Sequence, residues 1–162
     1  MARVGISLGS NLGDRKANLT EAIRRLEGAM CTDHLLISSL YETTPIGCPP
    51  ESPDFYNCVV EIETNLLPLE LLEFTQSIEK GLGRPQNRGH NDPRPVDLDL
   101  LYFEKVSLES EHLTLPHPRM KERAFVLQPL KEICPQFTTK DMPTEMEGQQ
   151  LKRITGSNWF FS

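Results

Sequence analysis

Two hydrophobic periodicities alternate along the chain, and their order restricts the folds that it can adopt. Four segments alternate apolar and polar residues with the period of two that is typical of strands, namely residues 3–8, 35–41, 55–64 and 96–103. Two segments carry apolar residues at helical spacing, one after Asn11 or Asp14 as the N-cap and one from Pro68. The order strand-helix-strand-strand-helix-strand predicts an α+β fold, a ferredoxin-like βαββαβ antiparallel sheet with helices.

The rest of the chain is predicted to elaborate this core with C-terminal additions. Residues 106–115 predict a short strand or hairpin, and residues 119–127 predict a short helix. The pattern leaves the tail from about residue 138 undetermined. A length of 162 residues fits one domain, which we place at 1–162.

Composition excludes several classes of protein. The chain has 17 Lys and Arg against 23 Asp and Glu, a net charge of −6 that argues against a nucleic-acid-binding module. The four cysteines have no spacing typical of a zinc site, and no apolar stretch approaches the roughly 18 residues of a membrane span. We therefore expect a cytoplasmic monomer without nucleic-acid or membrane partners.

An acidic pair marks the fourth predicted strand. Asp97 and Asp99 are two residues apart, so both side chains project from one face. Two adjacent carboxylates repel each other unless a cation neutralises them, and hard oxygen ligands suit Mg²⁺ that bridges to phosphate. The alternative is a pair of solvated acids on an edge strand, but Leu101 and Phe103 would make the same face partly apolar. The opposite, core-facing side is expected to carry Val96, Leu98, Leu100 and Tyr102.

Basic residues concentrate on both sides of this strand. Residues 84–94 and 119–123 together carry Arg84, Arg88, Arg94, Arg119, Lys121 and Arg123. Each loop alone is explained by solubilising charge, but two such loops flanking one acidic strand favour a polyphosphate ligand, because the planar guanidinium binds phosphate oxygens in pairs. No GxxxxGK[ST] motif is present, so we expect side chains and metal, rather than a P-loop, to hold the phosphates.

Several motifs, in this order, resemble the 6-hydroxymethyl-7,8-dihydropterin pyrophosphokinase family. They are LGSNLGD at 8–14, YETTPIG at 41–47, DFYN at 54–57, RPVDLDLL at 94–101, and LPH at 115–117 followed by RAF at 123–125. The resemblance covers residues 3 to about 137. It implies ATP-dependent transfer of a pyrophosphoryl group to the hydroxymethyl group of the pterin, with release of AMP, in folate biosynthesis.

The resemblance also implies roles for the matching residues. Asp97 and Asp99 would hold two Mg²⁺ ions, and together with Arg84 and Arg94 they would form the catalytic set. ATP would contact Gln76, Glu79, Arg84, Arg94, Leu100, His117 and Arg123. The pterin would contact Thr43, Thr44, Ile46, Phe55, Asn57 and Phe125. Phe55 and Asn57 share one face of a predicted strand, which independently suits a flat heterocycle held by an aromatic face and by polar edge partners.

Two other classes of protein remain open from the residues alone. A minimal nucleotidyltransferase also combines a Gly-Ser pair with an acidic pair, but in that class the two motifs are close in sequence, whereas Gly9-Ser10 lies far from Asp97. A non-catalytic ferredoxin-like module would bind a ligand or RNA. The acidic Glu61 and Glu63 on the face of Phe55 argue against RNA.

Overall fold

The computed structural model describes residues 1–44, 53–83, 95–137, 149 and 151–161. Three α-helices and a mainly antiparallel sheet confirm the predicted α+β class. In chain order the elements are β1 Ala2–Ser10, α1 Arg15–Leu26, β2 Leu35–Ile37, β3 Leu40–Thr43, β4 Phe55–Thr64, α2 Pro68–Gly81, β5 Asp97–Phe103, β6 Leu108–Glu109, β7 Thr114–Leu115, α3 Ala124–Ile133 and β8 Leu151–Thr155. No helix among the described residues is long and apolar enough to cross a membrane.

The main sheet has the strand order β5-β1-β4-β3-β8, and β2 also pairs with β4. Every pairing is antiparallel. Strand β1 is therefore an interior strand, with β5 on one side and β4 on the other. The β6–β7 pair forms a separate hairpin, as predicted for residues 106–115.

Helices cover both faces of this sheet. On the face that we call the α1/α2 face, Leu8 and Val60 of the sheet pack with Ile23 of α1 and Ile78 of α2 in the larger apolar cluster. On the other, the α3 face, a smaller cluster joins the sheet to α3. Its buried members are Val59, Leu101, Tyr102, Met120, Val126, Leu130 and Cys134.

Two predicted boundaries were wrong. The strand at 35–41 is broken into β2 and β3 at Ser38 and Ser39, where Ser38 Oγ accepts a hydrogen bond from the Val59 N–H and Ser39 Oγ donates one to Glu132. The helix predicted at 119–127 begins later and extends further, because Arg123 has an extended backbone that separates a 3-10 turn from α3. The tail, which the pattern left undetermined, contains β8, which pairs with β3.

A β-bulge in β5 reverses the faces of the residues that follow it, so the predicted faces of Tyr102 and Phe103 were wrong. Ile6 pairs with Leu100 and Gly5 pairs with Tyr102, so Leu101 is an extra residue. The bulge moves Tyr102 to the α3 face, although alternation predicted it beside Leu100, and it moves Phe103 to the α1/α2 face. A Cβ at Gly5 would overlap the Tyr102 ring, which explains why this pairing needs glycine.

Candidate active site

The acidic pair lies on the α3 face, at the end of the sheet where β1 finishes. Asp97 pairs with Gly9 and Asp99 with Ser7 of β1. Both carboxylates are half-buried, and because Leu98 and Leu100 point into the α1/α2 cluster, Asp97 and Asp99 share the opposite face, as predicted.

Arg123 brings a guanidinium to this pair. It stands immediately before α3, and its Nη1 lies 3.7 Å from Oδ2 of Asp99. Its Cζ is 5.5 Å from the centroid of the Phe125 ring. One arginine therefore joins the acidic pair to an aromatic side chain on the same side of the sheet.

His117 is held close to this cluster in its neutral form. Its backbone N–H donates to the carbonyl of Leu101 at 2.8 Å, and its Nδ1 accepts from the Arg119 N–H at 3.1 Å. Burial, followed by the positive charges of Arg123 and Arg119, lowers the pKa of His117 to about 4, although Asp97 acts in the opposite direction. With Nδ1 accepting, the proton of the neutral ring is on Nε2, which can donate to an anionic oxygen.

Glu79 of α2 stabilises the outer edge of β5. Its buried carboxylate accepts a 2.9 Å hydrogen bond from the Leu98 N–H, between the two acidic residues. Because alternate residues of a strand direct their backbone groups to the same side, those of Leu100 also face this outer edge. Gln76 is exposed one turn earlier on the same helix. The outer edge of β5 thus combines backbone groups with polar side chains of α2.

A second polar and aromatic group lies across β1. Asn57 of β4 pairs with Gly9, and its amide donates to Oγ1 of Thr43 on β3. Phe55 is half-buried at the start of β4, and Thr44 is exposed after β3. A Cβ at Gly9 would stand 2.9 Å from Oδ1 of Asn57 and 3.2 Å from Cδ1 of Phe55. The absence of a side chain at Gly9 therefore lets these two side chains lie against the central strand.

The two groups are neighbours. Asp97 and Asn57 flank Gly9 on adjacent strands, so their Cα atoms are about 10 Å apart at normal strand spacing. The structure thus brings together Thr43, Phe55, Asn57, Asp97, Asp99, His117, Arg123 and Phe125 on one face, with Gln76, Glu79 and Leu100 along the adjoining edge. The predicted residues Ile46, Arg84 and Arg94 lie outside the described residues.

Sequence reasoning missed a buried carboxylate on the same face. Glu61 of β4 is 1% exposed and accepts hydrogen bonds from the Tyr102 hydroxyl, from Sγ of Cys134 at 3.0 Å and from Nε2 of His34 at 2.8 Å. Burial alone would raise the pKa of Glu61, but these donors outweigh it and lower the pKa below its ordinary value. Burial and the neighbouring Glu61 raise the pKa of Cys134 to about 12.

This buried group, the Glu61 cluster, joins β4, β5, the residue after α3 and the residue before β2. The signal available in the sequence is a glutamate inside an otherwise apolar strand. Its partners are 27 to 73 positions away, so they could not be identified from the pattern.

Fold and site together are those of an α+β protein that presents an acidic pair, a guanidinium and a polar and aromatic group on one face of its sheet. Comparison with known proteins identifies the family to which the chain belongs. The family model of 7,8-dihydro-6-hydroxymethylpterin-pyrophosphokinase (HPPK) matches residues 5–135. A Bacillus subtilis protein, 2-amino-4-hydroxy-6-hydroxymethyldihydropteridine pyrophosphokinase, is 46% identical over 158 residues, which cover 96% of this chain and 93% of that protein. The chain belongs to the HPPK family, as the motifs predicted, and is therefore a pterin pyrophosphokinase of folate biosynthesis.

Longer proteins contain a related region. The folate synthesis bifunctional protein of Arabidopsis thaliana is 42% identical over 132 residues, which cover 80% of this chain and 26% of that protein. Among solved structures, Plasmodium falciparum HPPK-DHPS wild type with SDX-DHP matches with a TM-score of 0.64 at 15% identity, over 86% of this chain and 42% of that one. At this low identity the match supports the fold alone.

Proposed function

We propose that the acidic pair holds Mg²⁺ against the phosphates of ATP, and that the pterin hydroxymethyl oxygen attacks the β-phosphorus in line. The new bond joins that oxygen to the β-phosphorus, the bond from the β-phosphorus to the α,β-bridging oxygen breaks, and AMP leaves. The observation that carries this proposal is the position of the acidic pair: Asp99 lies beside Arg123, and Asp97 lies directly across Gly9 from Asn57.

The donor set fits magnesium. Mg²⁺ is typically held by one or two carboxylates together with substrate phosphates and water, so a third protein ligand is not required. Accordingly, the described part of the chain contains no group of three or more potential metal-binding side chains, but it does present the two carboxylates. We assign two ions to Asp97 and Asp99. When bound, Mg²⁺ neutralises phosphate charge and polarises the phosphoryl oxygens.

The ATP side is assigned to basic and edge residues. We assign Arg123 and the Nε2–H of His117 as donors to phosphate oxygens, and Arg84 and Arg94 are assigned the same role from the resemblance to the family. The outer edge of β5 at Leu100, with Gln76 and Glu79, is assigned to the nucleoside. Transfer of this kind depends mainly on positioning and charge neutralisation, so these groups suffice without a dedicated base.

The heterocycle side is assigned to the group across β1. The pterin ring would lie between Phe55 and Phe125, and its polar edge would be bound by Asn57 and by Thr43, Thr44 and Ile46. Aromatic faces combined with a few edge partners are the usual way to hold a flat polar ring.

The direct test is an assay of AMP formation. We expect AMP from ATP only when both 6-hydroxymethyl-7,8-dihydropterin and Mg²⁺ are present, and no AMP when a chelator replaces Mg²⁺. Release of pyrophosphate with the nucleotide attached to the acceptor would instead identify a nucleotidyltransferase. Binding of the pterin without turnover of ATP would identify a non-catalytic module.

Replacing Gly9 with alanine tests the heterocycle side. The added methyl would displace Asn57 or Phe55, so we expect Gly9→Ala to raise the KM for the pterin about tenfold, the equivalent of about 1.4 kcal/mol. Steady-state kinetics with each substrate varied in turn measures this effect. Gly156→Ala is the matched control, since its Cβ would meet no atom closer than 3.4 Å. An unchanged pterin KM in Gly9→Ala would contradict the assignment.

We also infer that the fold is ferredoxin-like. The strand order β5-β1-β4-β3 supports this inference, because it is the order that two interleaved βαβ units give. One domain over 1–162 and a monomeric state are proposed on the grounds that helices cover both sheet faces. Sedimentation velocity would test the monomer. The cytoplasmic location stays a prediction of the sequence.

A further inference from the structure

The first residue of α1, Arg15, contacts both ends of the connection between β3 and β4. Its Nη1 lies 3.1 Å from Oε2 of Glu42 on β3 and donates to the backbone carbonyl of Asp54, just before β4, at 2.9 Å. The Arg15 guanidinium therefore links Glu42, the penultimate residue of β3, to Asp54, the residue that precedes β4.

The same guanidinium stacks on an aromatic ring. Cζ of Arg15 is 3.8 Å from the centroid of the Tyr56 ring, and Tyr56 is the ladder partner of Glu42. The side chains of Arg15 and Glu42 are only 27% and 26% exposed. A partly buried guanidinium that combines an ion pair, a carbonyl acceptor and ring stacking fixes geometry more firmly than an exposed ion pair.

These contacts lie directly behind the proposed heterocycle site. In the β3–β4 ladder, Glu42 pairs with Tyr56, and the next pair, Thr43 with Phe55, is the last before the connection. Because successive residues of a strand point to opposite faces, Arg15 and its partners occupy the face opposite Thr43, Phe55 and Asn57. From this opposite face, Arg15 holds the backbone that places these three residues.

We propose that Arg15 is a positioning residue that sets the affinity for the pterin by fixing the end of the β3–β4 ladder. This inference rests on the proposed function, since it takes Thr43, Phe55 and Asn57 as the heterocycle site. The acidic pair and the outer edge of β5 belong to other strands, so the ATP side is unaffected.

The test is a comparison of Arg15→Met and Arg15→Lys with the wild type. We expect Arg15→Met to raise both the KM and the Kd for the pterin about fivefold to thirtyfold, while kcat and the KM for ATP stay within about twofold. Arg15→Lys keeps the charge but loses the planar fork, so it should restore part of the affinity. Arg25→Met is the matched control, because Arg25 makes an exposed ion pair with Glu21 on the same helix.

Charge exchange tests the contact itself. The double variant Arg15→Glu with Glu42→Arg should bind the pterin more tightly than either single variant. Circular dichroism and the melting temperature show whether each variant folds, and calorimetric titration of the pterin measures affinity without turnover. An unchanged pterin Kd in folded Arg15→Met, or equal increases for pterin and ATP, would overturn the positioning role.

Failure of the proposed function gives a different result. If the wild type binds the pterin but forms no AMP, the reaction assignment is wrong, whereas the positioning role is still decided by the pterin Kd of the Arg15 variants. If the wild type binds no pterin, both are wrong.

Discussion

We expect Asp97→Ala and Asp99→Ala each to lower kcat by about 10²–10³-fold while both variants fold normally. Under the proposed assignment, loss of one carboxylate that holds Mg²⁺ would remove several kcal/mol of charge stabilisation from the transition state, and each 1.36 kcal/mol corresponds to a factor of ten in rate. Both side chains are half-exposed near the start of β5, so their removal leaves the apolar clusters intact. The AMP assay at saturating ATP and pterin measures the effect.

Two further variants make this result specific. Asp97→Asn keeps the shape but not the charge and should lose nearly as much activity as Asp97→Ala, because a neutral amide is a weaker ligand for Mg²⁺. Asp33→Ala removes an exposed acid far from β5 in sequence and should retain wild-type turnover. Near-wild-type rates in either Asp97→Ala or Asp99→Ala would remove the metal assignment.

We expect Glu61→Gln to lower the free energy of unfolding by about 2–4 kcal/mol at pH 7 and the melting temperature by roughly 5–15 °C. Gln places an NH₂ group where the carboxylate accepted three donors, so at least one buried group loses its partner. Urea unfolding followed by circular dichroism measures the change. Glu109→Gln, on the exposed β6, is the control and should change stability little.

The stabilisation that Glu61 provides is expected to decrease as the pH falls. Because the pKa of Glu61 is lower in the folded protein than in the unfolded chain, its stabilisation is complete above the unfolded value of about 4.3 and is lost as the pH falls through the folded value. The difference between wild type and Glu61→Gln should therefore be full at pH 7 and shrink below about pH 4. A difference that stays constant over this range would show that ionised Glu61 does not stabilise the fold.

Local periodicity was enough to predict most elements. Strand β4 has the predicted bounds because alternation is regular over its whole length, and α2 begins at Pro68, where proline suits the first turn. Elements whose limits depend on distant partners were mispredicted. The break at Ser39 depends on Glu132, 93 positions later, and no local pattern contains that information.

In the site too, features that follow from local strand geometry could be predicted, whereas features that depend on distant contacts could not. That Asp97 and Asp99 share a face follows from strand geometry alone, whereas their contact with Arg123 depends on the extended backbone before α3. The bulge at Leu101 depends on the pairing of Gly5 with Tyr102, so alternation placed that ring on the wrong face. The neutral state of His117 and the edge contact of Glu79 are likewise products of tertiary packing.

Strand β8 has a consequence for solubility. By pairing with β3, it occupies backbone donors and acceptors that would otherwise form an open sheet edge, and Trp159 fastens the segment through its Nε1–H bond to the Ser38 carbonyl at 2.8 Å. Open edges recruit strands from other molecules, which is a common route to aggregation. Strand β8 thus discourages self-association through β3, next to the ladder that carries the proposed heterocycle site.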